Sequence, residues 1–88
     1  SNSDKKKLEQ LKQRLRDNPR DKRARRELRK FADKYQKKIK MALEDKDFDL
    51  AESHVLEILD MTPENTKASR ELTDLLGKIR ARKYEYNQ

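Results

Sequence analysis

The chain has no cysteine, no tryptophan, one glycine, one histidine and two prolines in 88 residues. Each shortage removes a class of chemistry. Without cysteine there is no disulfide framework and no thiolate metal site. With one glycine there is no phosphate-cradling loop or dinucleotide fingerprint, and with one histidine and no thiol no nucleophile–base pair is signalled. Carboxylates are plentiful, but they alternate with Lys and Arg instead of interrupting an apolar pocket, so none is marked as a tuned acid or base. The expectation is a non-enzymatic protein that uses no cofactor. No run approaches the roughly 18 apolar residues of a membrane span, and no basic-then-apolar leader opens the sequence. Ser1 and Asn2 resemble the remnant of a cleaved expression tag, so residues 1–3 are expected to be disordered and the chain to be a piece of a longer protein. A cytoplasmic location is the expectation.

What the chain has in abundance is charge. Charged residues make up 47% of it and hydrophobic ones 32%, with a net charge of +7. The balance is uneven: residues 1–44 hold 17 Lys and Arg against 7 Asp and Glu (+10), and residues 45–88 hold 7 against 10 (−3). An anionic partner should meet the first half.

The apolar residues are few but periodic. Leu8, Leu11 and Leu15 form one stripe; Leu28, Phe31, Ala32, Tyr35, Ile39, Ala42 and Leu43 a second. Phe48, Ala51, Val55, Ile58 and Leu59 make a third, and Ala68, Leu72, Leu75, Leu76 and Ile79 a fourth. Spacings of three and four put each stripe on one helix face. Pro19 and Pro63 sit in matching contexts, Asp17-Asn18-Pro19-Arg20-Asp21 and Met61-Thr62-Pro63-Glu64-Asn65. Each reads as a helix stop and start, with Asn18 or Asp21 and Thr62 or Asn65 capping the next helix and proline in its first turn. Asp45, Asp47 and Asp49 crowd ahead of the third stripe, where carboxylates suit a helix N-terminus. The reading is an all-α single domain over residues 4–84 with four antiparallel helices at about 4–17, 21–44, 48–61 and 65–84, and a frayed tail at 85–88. Gly77 is expected to mark close helix packing or the start of fraying.

The segment from Asp47 to Asn65 resembles the second helix and exit turn of a tetratricopeptide repeat, a helix pair of 34 residues. With Pro63 at the family's proline, its small residue falls on Ala51, its large apolar residue on Val55, and its aromatics on Phe48 and Tyr35. Leu72 and Leu11 fit the following and preceding repeats. The resemblance implies a superhelix fragment of about one and a half repeats; an up-down four-helix bundle would carry the same stripes. The two prolines stand 44 residues apart, which makes the helix between them about three turns longer than the family's. Family members hold an extended peptide on their first helices. The resemblance therefore implies a protein–protein interaction module whose partner-binding residues are Gln36, Lys37, Lys40, Lys67, Arg70 and Asp74, suited to an acidic peptide or protein. The paired asparagines of the chaperone-binding carboxylate clamp are absent. So short an array also leaves apolar faces uncovered, and weak self-association is expected.

Arg20, Lys22, Arg23, Arg25, Arg26, Arg29 and Lys30 offer an alternative, a polyanion-binding stripe for RNA or DNA. A solvated, solubilising helix face would look the same. Base readout has little support, because Phe31 and Tyr35 lie on an apolar stripe. Membrane insertion is not expected, since the basic helix needs its apolar face for packing and lacks tryptophan anchors. Asp45, Asp47 and Asp49 open like a calcium loop, but Leu50 stands at the glycine position and Leu56 at the bidentate acid position. His54 is expected at the solvent or rim, and no metal ligand set is called for.

Overall fold

The computed structural model describes residues 2–88, which form four α-helices: α1 (Asn2–Asp17), α2 (Lys22–Glu44), α3 (Phe48–Met61) and α4 (Lys67–Tyr86). The described residues contain no strand, so the all-α reading holds. The chain divides into two compact units, one running to Asp33 and the other spanning Lys34–Gln88. The first part of α2 belongs with α1 and the rest with α3 and α4.

In the first unit, Leu8, Leu11, Ala24 and Phe31 are buried and Leu15 and Leu28 half-buried. The chain reverses through Asn18-Pro19-Arg20-Asp21. The Asp21 amide donates to the Asn18 carbonyl at 3.0 Å, and the Asn18 side chain accepts from the Arg20 amide at 3.1 Å. Pro19 thus occupies the second position of a β-turn, where its fixed φ is preferred, and lies before the helix rather than in its first turn. Asp21 is the residue that caps α2, its Oδ1 accepting from the Ala24 amide at 3.0 Å. Arg14 reaches back from the end of α1 to Asp21 at 3.2 Å and to Glu27 at 4.0 Å, while the Lys7 ammonium lies 5.7 Å from the centroid of the Phe31 ring. These pairings run in opposite order along the two helices, so α1 and this part of α2 are antiparallel. α1 starts at Asn2, earlier than expected, with Asp4 in its first turn favouring the helix dipole.

In the second unit the three residues 45–47 join α2 to α3. Lys46 adopts φ 59°, its amide donates to Leu43 at 3.1 Å, and the Asp47 amide donates to Ala42 at 2.8 Å. This is a Schellman ending, normally given to glycine because a side chain strains the left-handed backbone. Asp47 at once caps α3, accepting from the Leu50 amide at 3.1 Å. Phe48, Ala51, Val55, Ile58 and Met61 are then buried along α3, and Tyr35, Ile39 and Ala42 along α2.

At the far end of α3, Thr62 is extended (φ −94°, ψ 131°), as a residue before proline must be. Its hydroxyl donates to the Ile58 carbonyl at 2.8 Å. Neither Thr62 nor Asn65 caps α4. Asn65 takes the left-handed conformation (φ 62°), and Thr66 accepts from the Ser69 amide at 3.1 Å. Pro63 therefore sits in the linker, and α4 begins at Lys67 instead of 65. α4 packs closely on α3, with Leu76 and Ile79 buried, Leu72 and Leu75 half-buried and Ala68 exposed. Lys83 bonds Asp49, Arg80 bonds Glu52 at 3.2 Å, and Tyr86 meets Phe48 edge-on at 5.5 Å, so the helices are antiparallel. These partners hold α4 helical to Tyr86, where residues 85–88 were expected to fray.

Gly77 fulfils neither expectation. The helix runs on past it, and a Cβ built there meets nothing within 4 Å. Gly77→Ala should therefore stabilise the protein by about 0.5–1 kcal/mol, read as a higher denaturation midpoint at unchanged slope; a lower midpoint would contradict the open space. Lys46→Gly should likewise raise the midpoint by about 1 kcal/mol, through relief of the left-handed strain. An unchanged or lower value would show that Lys46 is not strained.

Candidate partner-binding surfaces

All six residues of the expected peptide surface lie in the second unit, and all six are exposed. Gln36, Lys37 and Lys40 share the face of α2 that points away from Tyr35, Ile39 and Ala42. Lys67, Arg70 and Asp74 share one face of α4. No hydrogen bond or ion pair joins the two triplets among the described residues. On α4 the groups are partly engaged: Lys67 pairs with Glu71 at 3.8 Å, and Arg70 donates to the Asn65 carbonyl at 3.2 Å. Arg70 and Asp74 line an open groove of about 290 Å³ together with Asn65, Ser69 and Thr73. Ser69 and Thr73 carry no charge and Asn65 reads as a helix cap, so the sequence marks none of the three as a site residue. The only signal for them was their spacing of four along the helix.

The alternative stripe lies in the first unit. Arg20, Lys22, Arg23, Arg25, Arg26, Arg29 and Lys30 are all exposed. Arg23 is paired with Glu27 at 3.8 Å. Lys22, Arg25, Arg26, Arg29 and Lys30 have no hydrogen-bonded or ion-paired side-chain partner among the described residues. Apart from the Asp21 cap, nothing acidic offsets the cations in the first turn of α2. Each cation there is unfavourable by about 0.3–1 kcal/mol against the helix dipole. The stripe is thus held against local preference.

No family model, no curated protein and no solved structure matches this chain. No helix among the described residues is long and apolar enough to cross a membrane.

Two of the three acids around the start of α3 have structural work. Asp47 caps the helix and Asp49 holds Lys83. Their alternate spacing resembles a calcium loop, but Asp47 turns to the backbone and Asp49 to an ammonium. His54 lies at the rim of the core. It is half-buried, its ring meets Tyr35 edge-on at 5.8 Å, and its buried Nδ1 has no hydrogen-bond partner. Lys38 lies 5.0 Å from the centre of the same Tyr35 ring.

Three groups depart from their ordinary titration. Burial pushes His54 below 6.5, with Lys38 adding to the effect and Glu57 opposing it. The backbone amide of Ala24, with the Arg14 guanidinium, holds Asp21 below 3.8 against a smaller burial effect. The Asp49 carboxylate raises Lys83 above 10.5. The signs differ accordingly. The Asp21 contribution is whole above pH 3.8 and is lost as pH falls through its lowered folded value. The Lys83 contribution is present below pH 10.5 and is lost as pH rises through its raised value. For His54 the unfolded chain takes up the proton first, so its contribution is whole above pH 6.5 and is lost as pH falls through the lower folded value. Denaturant midpoints measured from about pH 8 to about pH 5 should decline below 6.5 in the native protein. His54→Phe keeps a ring against Tyr35 and should remove that part of the decline. A variant with the same pH profile would refute the assignment.

Proposed function

We propose that this protein is a non-catalytic, tetratricopeptide-like interaction module that holds an acidic segment of a partner protein. The groove on α4 carries the reading. It sets the Arg70 guanidinium beside the Ser69 and Thr73 hydroxyls and the Asn65 amide, a donor-rich lining suited to the carboxylates and backbone of an extended peptide. Asp74 at the same groove would accept from that peptide's backbone amides. Lys67 on α4 and Lys37 and Lys40 on α2 add exposed positive charge in the same unit. Packing supports the family likeness: Tyr35, Phe48, Ala51 and Val55, where the resemblance puts the helix-pairing residues, are all buried.

A labelled acidic peptide titrated by fluorescence anisotropy tests this. Arg70→Glu combined with Lys67→Glu should weaken binding about tenfold or more, or about 1.4 kcal/mol, while circular dichroism stays unchanged. Equal binding by the variant would remove the α4 groove from the function.

A further inference from the structure

The whole net charge of the chain belongs to the first unit. Up to Asp33 there are 13 Lys and Arg against 6 Asp and Glu (+7), and from Lys34 onward 11 against 11 (zero). Of the acids on α2 and its cap, Asp21 and Glu27 stand off the basic face, and Asp33 stands on it at its far end. Asp21 and Glu27 are taken by Arg14 and Arg23. Asp33 closes the stripe one turn beyond Arg29.

At about 100° per residue, Lys22, Arg25, Arg26, Arg29 and Lys30 cover an arc of roughly 140°. Its centre lies opposite Ala24 and Phe31, which are buried. Arg25 and Lys30 stand at the two flanks, and Lys22, Arg26 and Arg29 lie between them over about 12 Å of helix.

We propose that this face of α2 binds B-form duplex DNA through its phosphates, lying in the major groove without reading sequence. A helix with its side chains is about 10–12 Å across, and the B-form major groove is about 12 Å wide. Flanking cations then reach a phosphate ridge on each side, and the central ones, on long flexible stems, reach out to phosphates of either ridge. The A-form major groove of duplex RNA is too deep and narrow to admit the helix. Single strands are gripped by stacking on exposed rings, and this face has none, since Phe31 and Tyr35 are buried. An acidic protein surface fits less well, because the face offers no apolar side chain around which a protein interface forms its core. The inference goes beyond the acidic-peptide reading and does not rest on it.

The test uses the whole chain, a labelled DNA duplex of about 20 base pairs, the same sequence as duplex RNA and as single-stranded DNA, and rising salt. Five neutralised phosphates predict a slope of log affinity against log salt of about −4.5 for duplex DNA. Arg25→Gln, Arg26→Gln and Arg29→Gln together should make that slope shallower by about 2.7. Gln is a good helix former at exposed positions, so the variant should keep its circular dichroism. The Lys67→Glu and Arg70→Glu variant should bind duplex DNA as the native protein does, which separates this surface from the α4 groove. Equal or tighter binding to duplex RNA or single strands would overturn the proposal. So would an unchanged slope in the triple variant, or a DNA affinity no greater than that for the acidic peptide.

Discussion

The second unit depends on how α2 ends. At Lys46 the backbone turns into the left-handed region, two crossed amide bonds close the helix, and the next residue, Asp47, already starts α3. So short a connection leaves α3 no choice but to run back along α2, which brings Phe48, Ala51 and Val55 to one interior. Ala51 matters there through its small size, because a buried alanine lets two helix backbones approach. α4 is then added by Thr62 and Thr66, one hydroxyl closing a helix and the other opening the next. The reversal is local, strained at a single residue, and sets the packing beyond it.

Much of this was legible in the sequence. Four stripes with periods of three and four gave four helices, and α3 has the bounds expected of it, Phe48–Met61. Boundaries set by turn chemistry were harder. Asn65 and Thr66 are both capping residue types, and only the left-handed backbone of Asn65 hands the cap to its neighbour. Ala24 is fully buried, yet it stands between arginines, where composition reads as surface. Met61 was missed because it falls at the last residue before the stop, and Ala68 was overcounted because α4 is not covered at its start. The division into two units is a matter of which contacts α2 makes along its length, and periodicity within one helix carries no such information.

The candidate surfaces were legible to different degrees. Charge marks the basic face directly, since Lys and Arg announce themselves in the sequence and the apolar stripe fixes which side they take. The α4 groove is less visible, because Asn65, Ser69 and Thr73 look like ordinary solvated residues until the linker folds over the start of the helix. The ring contact of His54 was hidden for a related reason. Its neighbours Ser53 and Val55 carry no sign of Tyr35, the ring on another helix that it meets.

The two methionines are placed differently. Met61 is 8% exposed at the end of α3, and Met41 is 63% exposed on α2. Thioether oxidation needs contact with the oxidant and leaves a polar sulfoxide, harmless on a surface and disruptive in a core. Peroxide should therefore modify Met41 first and Met61 chiefly when the end of α3 opens. The chain thereby carries its own chemical clock for local opening, with the internal standard one helix away.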